Sequence, residues 1–225
     1  MNKTNNRGYF IVLEGGEGSG KSTIALNLKK YIESIHNKVV VLTREPGGTP
    51  LAEALRSVMM SMDTLDVDAE TDLMVVARKD HCKNLIKPAI NRGDIVICDR
   101  YMYSNVIYQG YLHANDSMEK FQMTNEVWGR NADIPEIISP DLILYLDIEP
   151  SKGLERIRKN DRETNRFDDM DIEKHQKIRE GFKYLFNRKG SCINVKIVNA
   201  EKAPSIVLEE VIRIVDKELK NKELI

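Results

Sequence analysis

The chain has 225 residues, of which 41% are apolar and 31% charged, the composition of a soluble globular protein with room for one core and no need of a second. Its 34 Lys+Arg nearly cancel its 35 Asp+Glu, so no global field recruits nucleic acid or an anionic membrane, and any cationic site must be local. Cys82, Cys98 and Cys192 are widely spaced and form no C-x-x-C pair, which speaks against a disulfide framework or a zinc site, and no apolar run reaches membrane-spanning length. With no signal-peptide pattern before the first strand, a cytoplasmic protein with no nucleic-acid and no membrane partner is expected.

Residues 9–13 are short, apolar and β-rich, and predict a buried strand. The stretch that follows, Gly15-Gly16-Glu17-Gly18-Ser19-Gly20-Lys21-Ser22, fits G-x-x-x-x-G-K-[ST], and from Ser22 and Thr23 onward apolar residues recur at helical spacing. Strand, glycine loop and helix together let backbone N–H groups and a helix N-terminus surround a polyphosphate. Gly15 through Thr23 are therefore the candidate ATP-binding residues, with Lys21 a charge on the β/γ-phosphates and the Ser22 hydroxyl a ligand for Mg²⁺. An ordinary Gly-rich turn is the competing reading, and the flanking elements weigh against it.

A second strand, 39–43, runs into Thr43-Arg44-Glu45-Pro46-Gly47-Gly48-Thr49, which puts Arg44 at a strand end where anions bind, although a Pro-Gly pair also suits a plain turn. A third, 95–99, ends in Asp99-Arg100-Tyr101: Asp99 is the expected partner of Mg²⁺, and Arg100 can grip a phosphoryl group in bidentate fashion. Ser104, Asn105, Tyr108 and Gln109 then supply hydroxyl and amide groups suited to a nucleoside. Strands at 142–147 and 195–198 complete the set, with amphipathic helical stretches near 51–60, 70–91, 117–128, 151–159, 171–187 and 204–220. Strands apolar throughout, alternating with helices, predict one doubly wound α/β domain over residues 1–225, with a parallel sheet of about five strands covered by helices. Arg156, Arg158, Lys159, Arg162 and Arg166 cluster in 153–168, the pattern of a mobile lid that brings cations over a triphosphate, or of a solvated helix face.

In order and spacing, Leu13-Glu14-Gly15 through Thr23, Arg44-Glu45-Pro46-Gly47-Gly48-Thr49, Asp99-Arg100-Tyr101 with Ser104, and Tyr145-Leu146-Asp147 resemble thymidylate kinase, a P-loop nucleoside monophosphate kinase family. The resemblance extends from about residue 9 to the end, and its Arg-Glu-Pro-Gly-Gly-Thr element is more specific than the P-loop. It implies transfer of the ATP γ-phosphoryl to dTMP with Mg²⁺, usually in a homodimer. Position by position it implies Glu17 at the deoxyribose 3′-hydroxyl, Arg100 on the dTMP phosphate and Arg78 near thymine. Pro46, Ser104 and Gln109 would line the same pocket, and Asn105 and Tyr108 would lie near base and sugar, the Tyr108 ring crowding out a 2′-hydroxyl. The P-loop holds no arginine, so the resemblance implies catalysis by a lid arginine, Arg158 or Arg162, between which the sequence does not choose. Met74 stands where the family commonly has a thymine-stacking Phe, which points to looser base discrimination. Rival readings are a kinase for another nucleotide or deoxynucleoside, with Glu14 or Asp99 as base, and a P-loop ATPase or switch. Asn37-Lys38 is followed by Val39-Val40, so the guanine motif N-K-x-D is lacking.

Overall fold

Each of the five apolar runs is a strand. The computed structural model describes residues 7–62, 64–159, 166–187 and 193–225. β1 (Tyr9–Glu14) leads through the glycine loop into α1 (Lys21–His36). β2 (Val40–Arg44) leads to α2 (Pro50–Ser61), whose N-cap Thr49 hydroxyl accepts from Ala52 N, with Pro50 in the first turn where a missing N–H costs nothing. α3 (Val67–His81), a π-helical turn (Cys82–Ile86) and α4 (Lys87–Arg92) run on to the left-handed Gly93. β3 (Ile95–Asp99) is followed by α5 (Met102–Asn105), a second π-helical turn (Val106–Gly110) and a short 3₁₀ turn (Tyr111–His113). The chain continues through α6 (Ser117–Ala132), β4 (Leu142–Asp147), α7 (Pro150–Lys159), α8 (Ile172–Phe186), β5 (Val195–Asn199) and α9 (Pro204–Asn221).

The sheet has the order β2-β3-β1-β4-β5 and is parallel throughout. All six residues of β1 are buried, because helices cover both faces. Tyr9, Ile11 and Leu13 pack with α1 and α9, while Phe10 and Val12 share a cluster with α4, α5, α6 and α8. This two-faced burial explains why the strands read as apolar runs without alternation. Truncating Ile11, with neighbours on all sides, would cost about 2–5 kcal/mol. The register sets the carboxyl ends level: Leu13 and Arg44 both flank Asp99, and Glu14 flanks Tyr145. Everything that follows these ends converges on one rim.

The α/β class and the parallel sheet agree with the sequence reading, and every strand starts and ends within one residue of its predicted span. Two elements differ. The helix expected at 70–91 begins at Val67 and carries the π-helical turn. The helical stretch from Met102 to His113 was not foreseen, because Tyr101 through Leu112 are all buried and no polar face sets a helical period.

Candidate active site

The glycine loop closes around its own lysine. Gly18 (φ 69°) and Gly20 (φ 88°) take left-handed conformations that a side chain would strain. Gly20 caps α1 without a side-chain acceptor, which leaves the first-turn N–H groups available to an anion. The buried Lys21 Nζ donates to Gly15 O at 3.0 Å and Gly16 O at 2.8 Å, so the ammonium is aimed back into the loop. Burial lowers its pKa to about 8, with the Arg100 charge acting in the same direction.

At the end of β3, Ser22 Oγ donates to Asp99 Oδ2 at 2.5 Å, while Asp99 Oδ1 is buried with no hydrogen-bond partner. Among the described residues no three His, Cys, Asp or Glu side chains gather as a metal cluster. One hydroxyl and one under-used carboxylate beside a phosphate loop fit Mg²⁺, which takes few protein ligands and completes its shell with phosphate oxygens and water.

Arg100 holds φ at 71°, a strained value for a residue with a side chain, and its N–H donates to Leu13 O at 2.9 Å. The turn swings the guanidinium toward the loop: it donates to Gly15 O at 3.2 Å, Ser104 Oγ at 3.0 Å and Glu17 Oε1 at 2.5 Å. Tyr108 OH donates to the same Glu17 oxygen at 3.0 Å, and the Arg100 guanidinium lies 5.2 Å from the Tyr108 ring centre. Beneath them Glu14 accepts from Tyr101 N, Ser104 N and Ser104 Oγ at 2.9, 3.1 and 2.6 Å, closing the N-terminus of α5. Burial raises its pKa to about 7.

Arg78 comes from α3 and is 2% exposed. Its Nε donates to Glu45 Oε2 at 2.7 Å, and Glu45 Oε1 meets His81 Nδ1 at 2.9 Å. His81 Nε2 in turn meets Thr43 Oγ1 at 2.8 Å. The Arg-Glu-Pro segment therefore buries a carboxylate that fixes an arginine, and Glu45 N is itself held by Asp99 O at 3.0 Å.

Of these groups Lys21, Ser22, Asp99, Arg100, Glu45 and Arg78 line one cleft of about 470 Å³, whereas Glu14, Thr43 and His81 do not. The P-loop forms one end of it. Arg156 and Lys202 lie there too, Arg156 donating to Ala200 O at 2.7 Å and Lys202 O at 3.1 Å, which holds the turn before α9 against α7. Met74, Arg78, Asn105 and Gln109 line it too, Asn105 bonding both Arg78 and Gln109, and Arg100 bridges Gly15 and Glu17 of the loop to Ser104, the neighbour of Asn105. Over residues 13–211 the sequence matches the family model described as thymidylate kinase. The chain belongs to the thymidylate kinase family. It is 41% identical to a thymidylate kinase of Clostridium novyi (strain NT) over 92% of this chain and 97% of that protein. It is 36% identical to one of Bacillus cereus (strain Q1), over 95% and 99%. Among solved structures, a thymidylate kinase from Ehrlichia chaffeensis superposes with a TM-score of 0.70 at 28% identity, covering 93% of this chain and 99% of that one.

Within this thymidylate kinase fold the residues singled out from sequence fall as follows. Glu17, Gly18, Ser19, Gly20, Lys21, Ser22 and Thr23 line the cleft, and Gly15 and Gly16 lie just behind, their carbonyls facing Lys21. Asp99, Arg100, Ser104 and Tyr108 line it as well, as do Arg44 and Pro46. Arg44 is about half exposed and paired with Glu53 at 2.9 Å. Arg158 is exposed on α7 and is not a lining residue, whereas its neighbour Arg156 is; Arg162 lies outside the described residues. Of the 153–168 segment, residues 153–159 end α7 and 166–168 form a turn in which Phe167 lines the cleft and meets the Tyr108 ring edge-on at 5.4 Å. Arg166 pairs with Glu70 at the start of α3.

Sequence reasoning passed over Arg56, a lining residue whose Nη1 donates to Pro46 O at 3.1 Å. Burial and the Arg44 charge lower its pKa, as expected for a cation held among cations. It also passed over His81 and Asn131. A half-buried Arg in an amphipathic helix carries no local signal; His81, three residues after Arg78, could have been paired with it.

Proposed function

We propose that this chain transfers the γ-phosphoryl group of ATP to dTMP, giving dTDP. The observation that carries the reading is the placement of Arg100 between the P-loop and the Arg78 wall in one cleft, bonded to Ser104 and Glu17 and facing Lys21. A donor triphosphate seated on the loop and α1 points its γ-phosphorus toward Arg100, which aligns an anionic acceptor for in-line attack. The acceptor oxygen is already deprotonated, so no general base is required. Glu14 is accordingly free to serve the fold, with its oxygens committed to Tyr101 and Ser104. Glu17 and Tyr108, hydrogen-bonded to each other, would form the sugar wall, where the Tyr108 ring would disfavour a 2′-hydroxyl.

Ser22 and Asp99 are the residues that would hold Mg²⁺, which when bound neutralises charge on the β- and γ-phosphate oxygens. Lys21 and a lid arginine, Arg158 or Arg162, would complete the cationic surround, with residues 153–168 as the lid. Association as a homodimer is supported by the exposed Leu51 and Val58 of α2, Met62 just after it and Val76 of α3, two helices that pack on each other. A cytoplasmic setting is supported by the unpaired, buried Cys82 and Cys98, and no helix among the described residues is long and apolar enough to cross a membrane.

Met74 in the cleft favours a second reading, a pyrimidine pocket that also admits dUMP, because a thioether forgoes ring stacking worth about 1 kcal/mol. Both readings meet one assay: ADP release with Mg²⁺ and ATP across dTMP, dUMP, dCMP, dGMP, UMP, thymidine and no acceptor. Turnover led by dTMP supports the first; comparable rates with dUMP support the second. Release independent of acceptor would reject both in favour of an ATPase.

A further inference from the structure

Phe167 stands in the turn before α8 and lines the cleft without being buried in it. Among the described residues three aromatic rings line that cleft. Tyr101 is 1% exposed, with the Arg78 guanidinium 5.4 Å from its ring centre, and Tyr108 is 6% exposed, with Arg100 over it. Phe167 is the half-buried one, and so the ring with surface left to offer.

Two contacts fix where this ring stands. Its neighbour Arg166 reaches back to α3, where Nη2 donates to the buried Glu70 Oε1. Arg166 Nε is buried with no hydrogen-bond partner among the described residues, and the guanidinium carbon lies 4.7 Å from the Phe167 ring centre. Glu70, Met74 and Arg78 are four residues apart on α3 and lie one above the other on one face, and Met74 and Arg78 line the cleft. Phe167 also meets the Tyr108 ring edge-on, 5.4 Å between centres at 87°. The ring is thereby tied both to the α3 row that holds Met74 and to the tyrosine whose hydroxyl bonds Glu17.

We infer that Phe167 supplies the aromatic surface for the acceptor's base that Met74 does not, and that Glu70 and Arg166 are the pair that positions it. The inference rests on the kinase reading above and names the residue by which the same site holds its base. That reading sets the base beside Met74 and Arg78 and the sugar beside Tyr108 and Glu17, and Phe167 is tied to both pairs. A ring adds the stacked or edge-on contact that a thioether lacks. Glu70 does not line the cleft and acts through Arg166. Removing it releases Arg166 from α3, and the ring beside Arg166 loses its fixed place.

The test is steady-state kinetics of the full chain and of Phe167→Leu, Phe167→Tyr, Glu70→Ala and the double variant Glu70→Ala with Phe167→Leu, alongside thermal melts. The base-free 2-deoxyribose 5-phosphate serves as a competitor against dTMP. Phe167→Leu is expected to raise the KM for dTMP about fivefold, the worth of one ring contact, with the KM for ATP and the Ki of the competitor at their wild-type values. Phe167→Tyr keeps a ring and should lose much less. Glu70→Ala should raise the KM for dTMP by a smaller factor and add nothing in the Phe167→Leu background, because it acts through that ring. A merely structural role would move the Ki of the competitor and the KM for ATP along with the KM for dTMP, and Glu70→Ala would add in full. Either result, or a folded Phe167→Leu variant with an unchanged KM for dTMP, overturns the inference while the kinase reading stands. If Glu70→Ala does not fold, Glu70→Gln takes its place; if the sugar phosphate does not compete measurably, the KM for ATP is the comparison. A wild-type chain that turns over neither dTMP nor dUMP removes the kinase reading, and the inference with it.

Discussion

A Cβ placed on Gly18 would lie 2.0 Å from the carbonyl oxygen of Gly153, so the phosphate loop and the first turn of α7 meet backbone against backbone. The reverse contact is as close: a Cβ on Gly153 would lie 2.3 Å from Glu17 O. The loop proposed to receive the triphosphate and the helix proposed to carry the lid are thereby seated on each other. Gly153→Ala must push them apart, although α7 itself gains from the better helix former. A displacement of roughly an ångström in a positioning element costs about 100-fold in rate. The expected result is a loss of that order in kcat/KM for ATP at saturating acceptor, with a melting temperature near that of the wild type. An unaltered value would mean that the contact is slack.

Lys21 gives a pH-dependent signature. Its pKa in the ligand-free chain is lowered to about 8, and only the ammonium form attracts a polyphosphate. ATP affinity should hold below about pH 8 and weaken above it, approaching tenfold per pH unit, as titration calorimetry would show. Lys21→Met should bind ATP with a flatter profile and lose at least about 100-fold in kcat. A wild-type profile flat to pH 9.5 would contradict the burial argument.

The arginines proposed for the lid can be separated by kinetics. Arg156 holds three carbonyls of the turn before α9 and is structural in position, while Arg158 is exposed on the same helix. Removing the arginine that meets the transferring phosphoryl group should lower kcat by about 10³-fold or more with little change in substrate affinity. Arg158→Ala and Arg162→Ala, assayed side by side, should show one such loss and one minor effect. Near-wild-type turnover in both would move the catalytic cation elsewhere.

How much was legible follows from where each signal lives. The five strands were readable because a sheet covered on both faces leaves uninterrupted apolar runs in sequence, and the P-loop and Asp99 because their chemistry needs fixed residue types at fixed spacing. The buried helical stretch containing Tyr108 and Gln109 was hidden for the opposite reason: with no exposed face it has no period. Glu45 was visible as part of a motif but not as the partner of Arg78 and His81, since that pairing joins residues 33 and 36 positions apart. Asn131 had no signal at all, because the partners of its buried amide, Arg78 and Asn105, lie 53 and 26 positions away.

The Glu45–Arg78 pair can be tested by deleting it in two ways. Glu45→Ala leaves Arg78 buried without a carboxylate and should cost about 3–5 kcal/mol in denaturant unfolding. Replacing both partners with apolar groups, Glu45→Leu with Arg78→Met, removes the stranded charge and should recover most of that loss. The double variant should still fail to phosphorylate dTMP. A double variant no more stable than Glu45→Ala would show that His81 and Thr43, and not the ion pair, set the energetics.

Glu14 makes the fold itself sensitive to pH. Its three hydrogen bonds favour the carboxylate, but desolvation at zero exposure outweighs them and raises the folded-state pKa from the ordinary 4.5 to about 7. Between those two values the folded chain holds a proton that the unfolded chain has released. Stability from this group is therefore complete below about pH 4.5 and is lost as pH rises through about 7. A shift of this size corresponds to about 3 kcal/mol, an order-of-magnitude figure. Glu14→Gln retains an oxygen for the N–H groups of Tyr101 and Ser104 and has nothing to ionise. It should leave stability at pH 5 little changed, raise it at pH 8 and flatten the slope between, as read by chemical denaturation at each pH. A wild-type chain whose unfolding free energy rises from pH 5 to 8 as steeply as that of Glu14→Gln would mean that the hydrogen bonds, not burial, govern this carboxyl.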